Sequence, residues 1–501
     1  DALYTNSTGS NNTSIGQGSL YYNTGSDNTA VGRNSLAANT TGAQNTAVGQ
    51  GALDANTTAS YNTAMGVNAL GANTTANDNT SIGYETLVQS TGEGHTAVGR
   101  SALRTNSTGT GCVGIGVSAL RVFTGSENVA VGYHAMYNSS TGGDSVAIGY
   151  KALYTNTTGN VMVAVGDKAL YSNTGGWGNV AVGYLTLHDN TTGDANVAIG
   201  YKALNENTTA DTNVAIGYEA LKVNTTGTDN TAVGYKALNS NTTANDNSAF
   251  GDIALEDNTT GHSNNAFGAG ALANNTTGAQ NAAFGTGCLF LNTTGNYNTA
   301  LGHSALESNT ASNNTAVGQG ALYANTTGEN NTAVGDRCLD AATTADDNTA
   351  VGFKALTSCT TGGYNTAVGR DCSYSNTTGA YNVAVGNNAL YTCSTGEQNV
   401  AVGRGAAYSV TTGGNNVAIG YRSAENITTA GSCVCIGNQA GDDQITTSHD
   451  QLYIARVPQG AGNSGVWIYG NSSGQCFQGG NSSSWSTTSD RRLKKNIVDN
   501  N

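Results

Sequence analysis

The chain has 501 residues, of which 69 are glycine, one is proline and only 10% are charged, and its formal net charge is −14. This thinly spread negative charge argues against nucleic-acid binding, which needs a clustered basic face. No apolar run reaches the ~20 residues that a membrane span requires. We therefore expect no nucleic-acid partner and no membrane insertion.

A short repeat dominates the sequence from its first turn. The pattern Asn-Thr/Val-Ala-Val/Ile-Gly ends on a glycine 26 times between Gly16 and Gly437, at 21 intervals of 17 residues and four of 16. A fixed short period sustained in this way is typical of a solenoid and argues against disorder. The prediction is an all-β parallel β-roll, or β-solenoid, whose shaft covers residues 1–441 in about 26 turns. At about 4.8 Å per turn such a shaft would measure roughly 125 Å.

Each turn is predicted to contain two strands and two bends, as in Gly49–Gly66. Asn62–Met65 predicts one strand, and Ala52-Leu53 with its neighbours predicts a second. Asn56–Ala59 predicts a bend, and the repeat glycine indicates a tight turn or a close backbone approach. Stacking would bury ladders of Val, Leu and Ala, and the Asn before the strand would form an internal amide ladder. A three-sided left-handed β-helix of hexapeptides ranks lower, because each turn holds only one hexapeptide match.

The four turns of 16 residues test the solenoid prediction. They end at Gly32, Gly99, Gly132 and Gly318, and in each the missing residue lies between the Leu and the following turn Gly or Ala. A deletion confined to one bend leaves the strand register untouched. We therefore expect these four turns to pair with their neighbours like all the others.

The cysteines and histidines do not form a recognisable chemical site. Nine cysteines lack the paired spacing of zinc ligands, and within the repeat they replace small residues. Same-phase cysteines two turns apart are too distant for a disulfide. We interpret the cysteines as small buried filler. The six histidines occupy scattered phases, so neither a catalytic triad nor a metal site is predicted, and no cofactor is expected.

Two further repeated features have alternative interpretations. Asn-x-Thr/Ser triplets such as Asn56-Thr57-Thr58 match the N-glycosylation acceptor, but Asn-Thr-Thr-Gly is also favourable turn chemistry, which we prefer. Tyrosines cluster just after the repeat glycine or just after the Leu. They could form an aromatic stripe that binds glycans, although packing on the roll surface or within a trimer is the favoured interpretation.

The repeat resembles a known family. Asn-Val-Ala-Ile-Gly-Tyr-Lys-Ala-Leu, at Asn196–Leu204, is similar to the head repeat of trimeric autotransporter adhesins. The resemblance covers residues 1 to about 440. Those heads are left-handed parallel β-rolls that assemble as trimers, so the resemblance implies a left-handed roll and a homotrimer. It is weak evidence for function, because such repeats occur in bacterial adhesins and in phage fibres.

Residues 442–489 leave the repeat and predict a small C-terminal β cap. Leu452–Val457 and Val466–Gly470 have the composition of β-strands, and the only proline, Pro458, lies between them. A solenoid needs such a cap to cover its exposed core and strand edge. The segment resembles the cap of marine cyanophage fibre proteins.

The decapeptide Thr488–Ile497 closely resembles the start of the endosialidase-type intramolecular chaperone. This self-cleaving peptidase domain lies at the C-terminus of phage tail fibres and tailspikes, and residues 490–501 would be its beginning. The resemblance implies that Ser489 is the nucleophile at a scissile Ser489–Asp490 bond and that Lys494 is the general base. A lysine acts in this way only if its pKa is depressed by burial or by cations. The candidate cations are Arg491, Arg492 and Lys495. A basic, solvated tail is the alternative.

These observations predict the shaft of a homotrimeric phage tail fibre or a related virion appendage that serves host-surface attachment. Its partners would be its own copies, other virion or tail proteins, and a host cell-surface glycan or protein. The mature fibre would not be an enzyme, since its one reaction would be a single maturation cut. Alternatives are a bacterial trimeric autotransporter-type surface adhesin and an extracellular filament subunit. The chain opens within a repeat, so we expect the gene product to extend further toward the N-terminus, and residues 490–501 would be only the beginning of the chaperone domain.

Overall fold

The computed structural model shows an all-β chain, as predicted, with no helix in its described residues. The residues that the structure describes are 1–106, 108–441, 446–455 and 466–478. They belong to two compact units, the first spanning Asp1–Gln280 and the second beginning at Asn281. The two units together comprise about 26 turns of a parallel β-solenoid, which confirms the predicted fold class. The trimer and the hand of the roll stay predictions.

Each turn contributes one strand of three residues, which lies at the predicted position just before the repeat glycine. The strands of the first unit are β1 (Thr13–Ile15), β2 (Thr29–Val31), β3 (Thr46–Val48), β4 (Thr63–Met65), β5 (Thr80–Ile82), β6 (Thr96–Val98), β7 (Thr105–Asn106), β8 (Val113–Ile115), β9 (Val122–Phe123), β10 (Val129–Val131), β11 (Val146–Ile148), β12 (Val163–Val165), β13 (Val180–Val182), β14 (Val197–Ile199), β15 (Val214–Ile216), β16 (Thr231–Val233), β17 (Ser248–Phe250) and β18 (Asn265–Phe267). The short β7 and β9 pair with each other in a separate ladder.

The second unit continues the same pattern and then departs from it. Its strands are β19 (Ala282–Phe284), β20 (Thr299–Leu301), β21 (Thr315–Val317), β22 (Thr332–Val334), β23 (Thr349–Val351), β24 (Thr366–Val368), β25 (Val383–Val385), β26 (Val400–Val402), β27 (Val417–Ile419), β28 (Val434–Ile436), β29 (Leu452–Ala455), β30 (Val466–Gly470) and β31 (Cys476–Gln478). Strand β29 pairs parallel with β28, whereas β30 and β31 add antiparallel partners. The predicted strands at Leu452 and Val466 are therefore confirmed. The limits of the predicted cap, 442 and 489, lie outside the described residues.

The strand register is unaffected by the short turns. Thr13 pairs with Thr29 and Thr299 with Thr315, each across a 16-residue turn, with the same in-register parallel pairing as the 17-residue turns. The other two short turns, between β5 and β6 and between β8 and β10, behave alike. The deleted residue is therefore absorbed in the bend, as the sequence predicts.

The side chains of each strand alternate between the core and the surface. From β2 to β28 in the main ladders, the middle residue, mostly Ala, is buried, whereas the first and third residues are exposed or half-buried. The core therefore consists of the Ala and Leu ladders with buried asparagines. The prediction that the Val ladder is buried is wrong. A strand turns alternate residues to opposite faces, so Val and Ala, which are adjacent, cannot both point inward.

The predicted second strand at Ala52-Leu53 is also wrong. Leu53 has a φ of 54° and Gly51 a φ of 65°, so alternate residues of this segment are left-handed. Neighbouring turns still bond here, because the Leu53 N–H donates to Ala69 O at 3.0 Å. A left-handed bulky residue costs about 1–2 kcal/mol, and the full burial of the Leu53 side chain offsets that cost.

The repeat glycine allows the backbones of adjacent turns to approach closely, as the sequence predicts. Gly66 has a φ of 140°, and a Cβ added there would lie 2.2 Å from Gly83 O. Such a φ is accessible to glycine alone among the common residues. The 17-residue glycine period is therefore a steric requirement of the stack.

Two buried asparagine ladders run inside the turns. In the strand-side ladder, formed by the residue before each strand, the Asn62 N–H donates to Asn45 Oδ1 at 3.0 Å, and Asn45 Nδ2 donates to Ala59 O at 2.8 Å. This confirms the predicted ladder. In the loop-side ladder, formed by the third residue after the Leu, Asn56 Nδ2 donates to Asn39 Oδ1 at 2.7 Å and to Ala59 O at 3.0 Å. The sequence had assigned that second asparagine only to the bend.

Candidate functional site

The predicted autocleavage site lies outside the described residues. Ser489, Lys494 and the whole segment 490–501 fall in this part of the chain. Cleavage at the Ser489–Asp490 bond therefore stays a prediction. The candidate functional surfaces that the structure does describe are all on the repeats.

The first is the strand face, which we define as the first and third residues of the three-residue strands. Its third residue is a Val, Ile, Met, Leu or Phe and is never buried: it is 61% exposed at Ile15 and half-buried at Val31 and Val48. Exposed apolar side chains that repeat at every turn form a contiguous patch, and a large patch of this kind marks an interaction surface. No strand residue from β1 to β28 is charged.

The strand face differs along the chain in its first residue. In β8 and from β10 to β15, and again from β25 to β28, this residue is Val, so both outward positions are β-branched and apolar. From β1 to β6 and from β20 to β24 it is Thr. The most apolar parts of the face therefore lie in the middle of the first unit and late in the second.

The second surface is the tyrosine edge, which we define as positions 1, 2 and 5 after the repeat glycine, for example Tyr150, Lys151 and Tyr154. Aromatic rings at one position stack from turn to turn, with ring centres 4.9–5.6 Å apart. The longest such stack after the Leu is Tyr137, Tyr154, Tyr171 and His188. The rings therefore pack against one another on the roll surface, in agreement with the favoured interpretation of the tyrosines.

The tyrosine edge also collects the positive charge. Every lysine and arginine of the described repeats lies at one of its three positions. These residues are Arg33, Arg100, Arg104, Arg121, Lys151, Lys168, Lys202, Lys222, Lys236, Arg337, Lys354, Arg370, Arg404 and Arg422. Positions 10 to 12 after the glycine, the acidic edge, carry carboxylates and no described lysine or arginine. The carboxylates are Asp27, Asp78, Glu93, Glu127, Asp144, Asp194, Asp211, Asp229, Asp246, Glu329, Asp346, Asp347 and Glu397. Positive charge in the described repeats is thus confined to the tyrosine edge, whereas carboxylates occur on both edges.

Open grooves occur on the tyrosine edge where position 2 is small. In the second unit Ser304 and Gly320 line a groove of about 480 Å³ together with Glu307, Tyr323 and Arg337. The Tyr323 hydroxyl donates to Glu307 Oε1 at 3.4 Å. The described residues include no group of three or more His, Cys, Asp or Glu side chains that could hold a metal ion.

The cysteines are filler, as predicted, with one exception. Eight of the nine are buried and unbonded to one another, and Cys476 is exposed. Burial raises the pKa of Cys288, Cys338 and Cys372 to about 12. A thiol held protonated in this way is a poor nucleophile and a poor metal ligand.

One histidine has a structural role that the sequence did not reveal. His95 takes an asparagine position in the strand-side ladder, where its Nδ1 accepts the Cys112 N–H at 3.1 Å. Burial lowers the pKa of His95, despite hydrogen bonds to the backbone of Gly109 and Cys112. The signal was available in the sequence, because His95 directly precedes a strand, at the phase of Asn79.

The glycosylation interpretation is disfavoured by the burial of its acceptors. Asn56 and Asn156 of the Asn-Thr-Thr triplets are fully buried members of the loop-side ladder. An amide that is buried and donates to the backbone cannot carry a glycan without opening the turn. The triplets are therefore turn and ladder residues.

No protein-family model, curated protein or solved structure matches this chain. In the described ranges there is likewise no helix of the length and apolarity that crossing a membrane demands. The fold is therefore established by the structure, while the resemblances to adhesin heads and to phage fibres rest on the residues that carry them.

Proposed function

We propose that this chain forms the shaft of a homotrimeric phage tail fibre or related virion appendage, with a role in host-surface attachment. The observation that carries the proposal is the uncharged, apolar strand face, which recurs at every turn of both units. Its exposure in a single chain is best explained by association with other copies.

A second copy of the chain is a suitable partner for this face. An identical chain has the same period, so its Val and Ile ladders can match those of its neighbour turn by turn. Like-charge repulsion does not oppose the contact, since no strand residue from β1 to β28 is charged. Closed cyclic symmetry lets identical surfaces meet around one axis. The number three comes from the resemblance of Asn196–Leu204 to adhesin heads.

The thin core also favours assembly. Each turn buries mainly one Leu, one or two Ala and its ladder asparagines. Burial of apolar surface contributes about 25 cal/mol per Å², so covering the Val and Ile side chains of the strand face would add a substantial stabilising term. A fibre exposed to shear and to proteases would benefit from that added stability.

The assembly is tested by measuring the mass of the purified chain by light scattering. We expect three chains per particle. Aspartate at two outward strand positions, Ile199→Asp with Ile216→Asp, should dissociate the trimer because it would place six carboxylates, two from each chain, at the interface. The matched control is Thr209→Asp with Thr226→Asp, at exposed loop positions of the same turns, and it should remain trimeric. A stable monomer for the unmodified chain would refute the trimer.

The virion role is tested separately. Mass spectrometry of the full-length gene product should show a C-terminus at Ser489, and Ser489→Ala should abolish the cut. Intact chains in the unmodified protein would count against self-cleavage. Sequence encoded downstream of Asn501 should contain the chaperone domain, whereas a coiled coil and a membrane anchor there would support the bacterial adhesin instead.

A further inference from the structure

The first unit carries a local positive patch on its tyrosine edge. Between Gly99 and Gly183 this edge has one carboxylate, Asp167, and five cations. The cations are Arg100, Arg104, Arg121, Lys151 and Lys168. The other carboxylates of the segment, Glu127 and Asp144, belong to the acidic edge. On a chain with a net charge of −14, this segment therefore presents the opposite sign of charge locally.

Most of these cations have no carboxylate partner. Among the ion pairs of the described residues, only Arg104 of the five takes part, with Glu85 at 3.1 Å. Further along the same edge two lysines are neutralised, since Lys222 pairs with Glu219 at 3.1 Å and Lys236 with Glu256 at 3.3 Å. The patch is therefore defined as Arg100, Arg121, Lys151 and Lys168, with the rings around them.

The positive field acts on a group within the patch. Burial lowers the pKa of His134, and the charges of Lys151, Arg121 and Arg100 lower it further. His134 packs against Tyr133 with ring centres 3.9 Å apart. These three cations are therefore close enough together to lower the pKa of the same side chain, His134.

Aromatic rings hold the cations without neutralising them. Lys151 Nζ lies 5.3 Å from the centre of the Tyr150 ring and 5.4 Å from that of Tyr154. The Arg121 guanidinium lies 5.4 Å from the Tyr137 ring. Cation–π contacts orient these charges without neutralising them, and Arg121 also donates from Nη1 to the Tyr137 hydroxyl.

The rings offer their edges to a ligand and not their faces. Tyr137, Tyr154 and Tyr171 stack with centres 5.4 and 5.0 Å apart and planes within 6° of parallel. Each inner ring face is thus covered by the next ring. What remains outward is a row of ring edges and phenol hydroxyls with cations between them, repeated at the turn spacing of about 4.8 Å.

We propose that this patch binds an anionic polysaccharide, a chain of uronate or sulfated sugars that lies along the stacking direction. The turn spacing is close to the length of one sugar residue in an extended chain, so successive anionic groups can meet Lys151 and Lys168 at position 2 of consecutive turns. Sugar hydroxyls would bond to the phenol groups. Single-stranded nucleic acid fits less well, because its bases need open ring faces for stacking.

The site deepens the attachment role proposed above and rests on it for its biological setting. The two ideas can fail separately. A trimer without polysaccharide binding would overturn the site alone, whereas a monomer that binds the polysaccharide would overturn the trimer alone.

The test is binding of the full chain to immobilised polygalacturonate and dextran sulfate, with neutral dextran and oligo(dT) in parallel. We expect binding to at least one of the two anionic polymers and none to dextran, with affinity that falls steeply between about 50 and about 200 mM salt. Lys151→Gln with Lys168→Gln should weaken binding about tenfold, because two ionic contacts with the carboxylate or sulfate groups are lost.

The matched control is Lys222→Gln with Lys236→Gln. It removes the same two charges from the same edge, but at lysines already paired with carboxylates, so the affinity should change less than about twofold. Circular dichroism should show that both double variants remain folded. The proposal is overturned if neither anionic polymer binds, if the two double variants lose affinity equally, or if oligo(dT) binds as tightly as the polysaccharides.

Discussion

The loop-side and strand-side ladders differ in how far they tolerate apolar residues. In the second unit the loop-side ladder loses its asparagines at Ala342, Cys359, Cys393, Val410 and Ile427. The strand-side ladder of the same turns remains asparagine from Asn281 to Asn416. Both positions are buried, so burial alone does not explain why, in these turns, Val and Ile replace the loop-side asparagine while the strand-side asparagine is kept.

The difference follows from which backbone groups each ladder serves. The loop carbonyl of Gly227 accepts from both ladders, from Asn213 Nδ2 at 2.9 Å and from Asn224 Nδ2 at 2.9 Å. Where the loop-side residue is Val410, the carbonyl of Gly413 still accepts from Asn399 Nδ2 at 3.0 Å. The loop-side donor is therefore redundant, and its loss leaves no buried carbonyl unpaired.

The strand-side ladder also supplies hydrogen-bond acceptors to backbone N–H groups of the next turn, a role that the loop-side ladder does not share in the described residues. Its Oδ1 accepts the backbone N–H of the next turn, as Asn348 does for Asn365 at 3.0 Å. In the first unit two replacements keep such an acceptor, His95 for the Cys112 N–H and Ser145 for the Met162 N–H. The comparison teaches that a histidine or a serine can replace the asparagine as acceptor, although Cys112, Met162 and Cys433 at the same position show that single turns form without a side-chain oxygen or nitrogen acceptor there.

The largest loss of stability is expected at a strand-side asparagine whose loop-side neighbour is not asparagine, because its amide is then both the acceptor for the next turn and the main donor to the loop carbonyl. Asn348→Ala removes the acceptor of the Asn365 N–H and leaves Gly362 O with only the weak donor Cys359 Sγ, at 3.2 Å. An unsatisfied Asn365 N–H together with a Gly362 carbonyl left on a weak donor should lower the local free energy of unfolding by about 3 kcal/mol. Native-state hydrogen exchange of this turn measures the change. Thr361→Ala, at an exposed position of the same turn, is the control, and a loss below about 1 kcal/mol for Asn348→Ala would contradict the two-duty account.

A smaller loss is expected where the loop-side asparagine is present. Asn213→Ala removes the acceptor of the Asn230 N–H, but Gly227 O keeps its bond from Asn224. Only one backbone group is left unpaired, so the free energy of unfolding should fall by about 2 kcal/mol. Its partner variant Asn224→Ala deletes the same amide from the other ladder and should cost about 1 kcal/mol. If both variants lowered the free energy of unfolding equally, the proposed difference between the two ladders would be wrong.

The sequence predicted the parts of the fold that depend on periodicity. The glycine period, the strand at Asn62–Met65 and the in-register short turns all follow from spacing, and the structure confirms them. The left-handed Leu53 could not be predicted in this way, because a bulky residue disfavours that conformation and only tertiary burial imposes it. The outward Val was predictable, because adjacent strand residues point to opposite faces and the neighbouring Ala points inward. Its hydrophobicity alone had suggested burial.

The candidate surfaces were predicted less well than the fold. Ser489 and Lys494 came from a resemblance of ten residues, and both lie outside the described residues. The tyrosine edge was recognised as an aromatic stripe, but its charge was not. That signal was present in the sequence. When each residue is numbered from its repeat glycine, every lysine and arginine of the described repeats falls at position 1, 2 or 5.

A loss of folding stability at low pH is expected at His95. The Cys112 N–H requires an unprotonated Nδ1, and burial lowers the pKa of His95 below its usual 6.5. As the pH falls below 6.5, the unfolded chain takes up a proton that the folded turn excludes, so the free energy of unfolding falls with it. Above that pH no dependence from this group is expected. Hydrogen exchange of the turn at pH 7 and pH 5 measures the effect, and His95→Asn should abolish it. A turn equally stable at both pH values would show that His95 is not the acceptor.

The smallest expected effect has the opposite sign and lies where the loop-side ladder stops. Asn325 Oδ1 is buried and has no hydrogen-bond partner among the described residues, because Ala342 replaces the asparagine of the next turn. Ala342→Asn would supply an amide donor to that oxygen, as Asn325 does for Asn309 at 2.7 Å. The gain should be about 1 kcal/mol, measured by slower hydrogen exchange of the Thr343–Ala345 amides. Ala342→Leu fills a similar volume without a donor and should give no gain. If both variants stabilise the turn equally, packing and not the ladder hydrogen bond is what Ala342 lacks.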